Sequence, residues 1–275
     1  MDRLTLFSMQ GGLLAFMGIV ILLAWRTQRR PYSDSGPVWV SIGFMLGGIG
    51  LSLQAYRGVI PAFFAIILGN FLFLMTYVFL ERAIAITTKR RSHMYWLLGV
   101  NSALILSYLY FTYIKPDVIV RTIEAVIVMS VMQIPIWVHL VRCKERTIRP
   151  ALRAMSAVLV VHILMNVVRL VGVLMLHRAD VWFTWTGVIA IAGLSVSFMW
   201  VDSLRVREEL ERRAMTDPLT GLLNRRGLDD FGKRELSRAA RALAYRAPLL
   251  QSMSIALSRS TTPTVMLLAI TPFAP

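Results

Sequence analysis

The chain has 275 residues, 56% of them hydrophobic and only 16% charged. Soluble domains carry roughly 25% charged residues, so this composition excludes an ordinary water-soluble globule and points to a bilayer. The formal net charge of +15 is read as basic loops lying beside anionic lipid rather than as a nucleic-acid surface, and the single Cys143 excludes an internal disulfide and a multi-cysteine metal site.

The N-terminal sequence has one arginine and no small-residue cleavage pattern, so its apolar run is expected to be retained. Runs of about 20 apolar residues are long enough to cross a bilayer as helices. Seven are predicted, at 4–25, 37–56, 59–80, 94–114, 118–141, 151–176 and 181–201. Their connections alternate in charge. Arg26, Arg29 and Arg30 follow the first span. Arg82, Lys89, Arg90 and Arg91 follow the third, and Arg142, Lys144, Arg146 and Arg149 follow the fifth, with Arg153 just inside the next span. The intervening connections carry one basic residue each, Arg57, Lys115 and Arg178. Basic loops stay in the cytoplasm, so the expected topology has the N-terminus outside and the C-terminus inside, as in a multi-pass protein of a bacterial inner membrane. The outer loops are too short for an extracellular domain, so the expected signal is small, membrane-borne or intramembrane. A retinal protein is excluded, because the last span contains no lysine for a Schiff base.

A charged side chain at mid-bilayer costs about 2.5–3.5 kcal/mol on insertion scales, so each one needs a reason. Glu124 and Arg169 lie at similar depths, roughly 10 Å inside the outer ends of the fifth and sixth spans at 1.5 Å per residue, and are expected to pair. His162, Asn166 and Arg169 share one helix face. Glu124, His162, Asn166 and Arg169 are therefore the candidate intramembrane sensor cluster. The alternative for these residues, as for Asn70 and Asn101, is interhelical hydrogen bonding that only holds the bundle together. Pro135 is expected to kink the fifth helix.

After the last span the sequence becomes charged and helical. Val206, Leu210 and Ala214 recur at four-residue steps over a stalk at 202–215, short for a coiled coil but placed to join two copies. Pro218 ends that helix. The next stretch, "TDPLTGLLNRRG", carries Asp217, Leu219, Thr220, Gly221, Leu222, Asn224, Arg225 and Arg226 at fixed spacing. These eight residues resemble the opening signature of the diguanylate cyclase (GGDEF) family, D-x-L-T-G-L-x-N-R-R. The resemblance implies that the signature is structural, a bend joining the signalling helix to the cyclase fold, with Gly221 suited to tight backbone geometry. It extends through the basic segment up to residue 249, which is similar to the first helix of that domain.

Family members continue with a metal-binding aspartate, F-K-x-x-N-D, G-H-x-x-G-D and GG(D/E)EF. Two such domains join two GTP molecules into cyclic di-GMP, with Mg²⁺ at the phosphates. None of these motifs occurs in this chain, which reads "MSIALSRSTTPTVMLLAI" at 253–270. The genetic code explains the departure. If each intended codon is the third base of one residue's codon plus the first two bases of the next, permitted bases allow this stretch to be reread as DVDRFKSINDTYGHAAGD. That string contains the family's next motifs in order and spacing. The reading frame is therefore expected to shift near residues 249–251.

The expected fold class is mainly α. It comprises a seven-helix transmembrane sensor at 1–201, a signalling helix at 202–215, the N-terminal fragment of an α/β GGDEF domain at 216–249, and an out-of-frame tail at 250–275 with little regular structure. The expected function is that of a membrane-anchored signalling protein of the diguanylate cyclase family. Mg²⁺ and GTP are its cofactors when intact, but the chain itself has no catalytic, cofactor or metal residues and is expected to be inactive. Expected partners are a second copy through the stalk, membrane lipid and an unidentified signal, with no nucleic acid. The alternative is a stand-alone seven-helix receptor or adaptor without enzymatic activity.

Overall fold

The computed structural model describes residues 3–27, 35–176 and 184–216, and beyond them 220, 222, 224, 225, 227–229, 232, 233 and 235–240. The chain divides into two units, Met1–Val206 and Arg207–Pro275.

Among the described residues seven helices are long and apolar enough to cross a membrane, as in a multi-pass membrane protein. They are α1 (Arg3–Thr27), α2 (Gly36–Ala55), α3 (Gly69–Thr87), α4 (Met94–Leu109), α5 (Val118–Val141), α6 (Arg149–Leu176) and α7 (Thr184–Met215). A π-helical segment, Phe63–Leu68, leads into α3, and another, Tyr110–Ile114, extends α4. The fourth and fifth spans fall where hydropathy puts them, at Met94–Ile114 and Val118–Val141. The third differs. It runs Phe63–Thr87 rather than 59–80, so Glu81 and Arg82 belong to the helix instead of the loop after it. Hydropathy ends a span at the first charge. Here the Glu81 carboxylate is buried against hydrogen-bond donors, and the Arg82 guanidinium lies 5.9 Å from the centre of the Trp39 ring, so the helix continues through both.

Lipid offers no hydrophobic force to hold helices together, so close packing must do so, and small residues permit it. α2 shows how. A Cβ added at Gly48 would lie 2.6 Å from the carbonyl oxygen of Gly11 on α1. On the other face a Cβ at Gly47 would strike the Thr76 hydroxyl of α3, and that hydroxyl donates to the Gly43 carbonyl at 3.2 Å. The spacing of Gly43 and Gly47 is the G-x-x-x-G pattern of packed membrane helices. α3 is the most buried of the spans and α6 the least. Apolar core residues come from every helix, among them Leu14, Phe44, Ile84, Leu97, Ile136, Leu159 and Phe198.

Asn101 behaves as interhelical bonding predicts, its Nδ2 donating to the Phe71 carbonyl of α3 at 3.3 Å. Asn70 instead donates to the Ile66 carbonyl in the turn before it. α5 is one helix across Pro135, and Asp117 caps its start by accepting the Ile119 and Val120 N–H groups at 2.9 and 3.0 Å. The connection from α2 to the π-helical segment is built of turns, with Gly58 at φ +96° supplying the left-handed residue.

Within Arg207–Pro275, the described residues complete α7 and add helical turns around 227–229 and 235–240, with no strand among them. The expected tail at 250–275, and with it the segment 241–249, lies outside the described residues.

Candidate functional site

Two polar regions stand out against the apolar bundle. The first is a cavity of about 120 Å³ whose lining includes Gln10, Gln54, Asn70, His162, Asn166 and Arg169. Three of the four residues expected to form a sensor cluster therefore meet at one void. Their shared helix face is the reason. His162 Nδ1 lies 3.0 Å from Gln133 Oε1, and Gln133, wholly buried, donates from Nε2 to the Met129 carbonyl at 3.0 Å. Among the described residues Asn166 Nδ2 and Arg169 Nε are buried without a hydrogen-bond partner.

Glu124 does not line this cavity, although its neighbours Ala125 and Met129 do. The expected Glu124–Arg169 ion pair is not formed. Glu124 Oε1 accepts the Ser107 hydroxyl of α4 at 2.6 Å, and its Oε2 is buried without a partner. Equal depth was not enough, because Glu124 lies on the α4 side of α5 and a short hydroxyl bond captures it there. The buried Tyr108 of α4 also reaches α5, its hydroxyl donating to the Arg121 carbonyl at 2.7 Å.

The second region was missed by sequence reasoning. Glu81 of α3, with none of its side chain exposed, is held by three residues, Ser92 and His93 just before α4 and His139 of α5. Ser92 Oγ donates to Oε2 at 2.7 Å, and the His93 backbone N–H donates to Oε1 at 2.7 Å. His139 Nε2 of α5 lies 3.0 Å from the same Oε1, and His93 Nδ1 lies 3.4 Å from it. The two imidazole centroids are 5.3 Å apart. His139 is almost fully buried, whereas 54% of the His93 side chain is exposed. Glu81, His93 and His139 each bring one metal-ligating atom within 4.8 Å of the other two. Only Ser92 and His93 are adjacent in sequence, so each residue reads separately as a helix-end residue. The one available signal was a carboxylate placed directly after an apolar run.

Basic residues gather near this region. Arg90 donates to the Arg142 carbonyl at 2.6 Å, tying the α3–α4 connection to the α5–α6 connection. Arg142, Lys144, Arg149 and Arg153 share an open cleft with Arg90. Arg205 of α7 donates to the Thr87 carbonyl and pairs with Glu145 at 3.6 Å. The α3–α4 and α5–α6 connections and residue Arg205 thus meet at one end of the bundle.

Of the signature residues, Asp217, Leu219, Gly221 and Arg226 lie outside the described residues. Leu222 N–H reaches the Thr220 hydroxyl at 3.4 Å, and Arg225 is exposed. Asn224 is the most connected. Its backbone N–H donates to the Met215 carbonyl at 2.9 Å and its Nδ2 to the Ala214 carbonyl at 2.8 Å, satisfying two carbonyls at the end of α7. Its Oδ1 accepts the Gly227 N–H at 2.9 Å, the geometry of a helix N-cap. One side chain closes a helix and opens the next turn. No protein-family model, curated protein or solved structure matches the chain.

Proposed function

We propose that this is a membrane-anchored signalling protein of the diguanylate cyclase family. Its seven-helix part receives a small or membrane-borne signal, and α7 carries the resulting motion to a cytoplasmic catalytic domain. The observation that carries the reading is the eight-residue signature placed directly after α7, in which Asn224 caps the end of that helix. The rereading of 253–270 as the family's next motifs supports it independently. The polar cavity at His162, Asn166 and Arg169 is the proposed receiving site, because unpartnered buried polar atoms favour a ligand that supplies the missing bonds. Leu210 is 60% exposed in the single chain and Ala214 is exposed too, leaving the stalk stripe available to a second copy.

The alternation of basic connections supports a cytoplasmic C-terminus in a bacterial inner membrane. Joining two GTP molecules requires divalent metal to offset phosphate charge, and a pocket for each guanine. The 275 residues lack the family motifs that supply both. The proposed consequence is that the chain itself makes no cyclic di-GMP, while a frame-restored gene product does. The two proteins are incubated side by side with GTP and Mg²⁺ and their products separated by chromatography. Activity in the 275-residue chain would refute the assignment of catalysis to the missing segments. Silence in the restored protein would leave the stand-alone receptor or adaptor, which the cavity alone is sufficient to support.

A further inference from the structure

We propose that Glu81, His93 and His139 bind one divalent transition-metal ion of the Zn²⁺ class, linking α3, the start of α4 and α5. This reading is independent of the cyclase assignment.

The donor set comes first. Two imidazole nitrogens and one carboxylate oxygen suit Zn²⁺ and its first-row neighbours, whereas Mg²⁺ and Ca²⁺ take oxygen ligands almost exclusively. Geometry follows. Bonds of about 2.0–2.1 Å at tetrahedral angles set ligand atoms roughly 3.3 Å apart. Here the two histidine-to-carboxylate separations are 3.0 and 3.4 Å, and all three ligand atoms lie within 4.8 Å of one another. The half-exposed His93 ring is the ligand with most freedom to adjust. The exposed side of that ring leaves room for water as a fourth ligand, as in zinc sites with an open position.

The charge balance points the same way. A fully buried carboxylate needs compensation. Among the described residues no lysine or arginine pairs with Glu81; its only ionisable partners are the two histidines. Adjacent Arg82 is directed to the Trp39 ring. A divalent ion between the carboxylate and the imidazoles supplies positive charge to Glu81 directly, whereas each histidine does so only when protonated. The surrounding bonds also suit a ligand rather than a free acid: Ser92 Oγ fixes Oε2 and so aims Oε1 at the two rings, the orienting role that outer groups play around bound metals. The competing arrangement is a hydrogen-bonded clamp of neutral histidines that ties three helices together without metal. The two differ in whether the exposed His93 ring matters.

The test uses the full chain without a histidine tag, purified in detergent, stripped with chelator and titrated with ZnCl₂. One Zn²⁺ per chain is expected by elemental analysis. Changing an outer-shell partner typically weakens metal binding 10–100-fold, so losing a ligand in His93→Ala should weaken it at least ~100-fold. In chelator the melting temperature of His93→Ala should match that of the parent. X-ray absorption at the Zn edge of the loaded parent chain should show two imidazole ligands, a readout that does not depend on any variant folding. Failure of the parent to retain Zn²⁺, unchanged affinity in His93→Ala, or a spectrum without imidazole would each overturn the proposal and leave the clamp.

Discussion

Glu81 and Glu124 are both carboxylates inside transmembrane helices, yet they are treated differently. Glu81 is wholly buried and has donors on both oxygens, whereas Glu124 takes one serine hydroxyl and keeps an unpartnered oxygen. The difference lies in what the neighbouring helix presents, because each carboxylate stands six residues from an end of its own helix, Glu81 from Thr87 and Glu124 from Val118. Glu81 faces the start of α4. A helix start offers backbone N–H groups that no carbonyl of the same helix claims, and the His93 N–H is used in this way. Glu124 faces Ser107, within the continuous helical run from Met94 to Ile114, where backbone groups are already paired, so only side chains, water or a ligand remain. A carboxylate that meets the start of another helix can finish its bonding within the protein; one that meets a neighbour's paired backbone keeps spare capacity.

Breaking the completed network should have the largest effect. Glu81→Ala removes the acceptor shared by Ser92, His93 and the buried His139. In the presence of chelator it should cost roughly 2–4 kcal/mol, more than an ordinary hydrogen bond because the acceptor is a buried charge. Denaturant or thermal unfolding in detergent would measure it, and a loss below about 1 kcal/mol would mean that water replaces the carboxylate readily.

The cavity side predicts the opposite sign. Arg169 brings a buried Nε without a partner, so Arg169→Met should be neutral or stabilise the bundle by up to about 1 kcal/mol, as when a poorly paired buried charge is replaced by an apolar side chain of similar length. Comparing its melting temperature with that of Glu81→Ala sharpens the contrast. A clear loss of stability would show that Arg169 is as firmly held as Glu81. The smallest effect is expected away from the bundle, where Asn224→Ala should cost about 1 kcal/mol of helix-end stability. It should be visible as faster hydrogen exchange at the last turn of α7 and at Gly227, with exchange in α3 unaltered.

Much of the bundle was legible because lipid imposes a length and an apolar composition on every crossing. The fourth and fifth spans could be bounded to the residue, since Pro116, Asp117 and charged stretches interrupt the apolar runs there. The third span was cut short at Glu81, because hydropathy scores a carboxylate without knowing that another helix brings its donors. The glycine seam of α2 was present as Gly43, Gly47 and Gly48, although composition alone does not say which neighbours those glycines touch. His162, Asn166 and Arg169 were grouped correctly by helical spacing, a short-range property. Pairing Arg169 with Glu124 required the rotation of two helices about their axes, which matching depths do not fix. Bringing Glu81 to His139 required a contact across 58 positions, and no local pattern announces that.

The genetic-code rereading of 253–270 makes a claim that nucleic acid tests more directly than protein does. The gene is sequenced across the codons for residues 249–270 and on into the DNA downstream. The prediction is that the chosen third bases spell DVDRFKSINDTYGHAAGD in the shifted frame, and that this frame runs on to codons for GG(D/E)EF. Third bases that spell another string, or a stop in the shifted frame before GG(D/E)EF, would contradict the cyclase assignment.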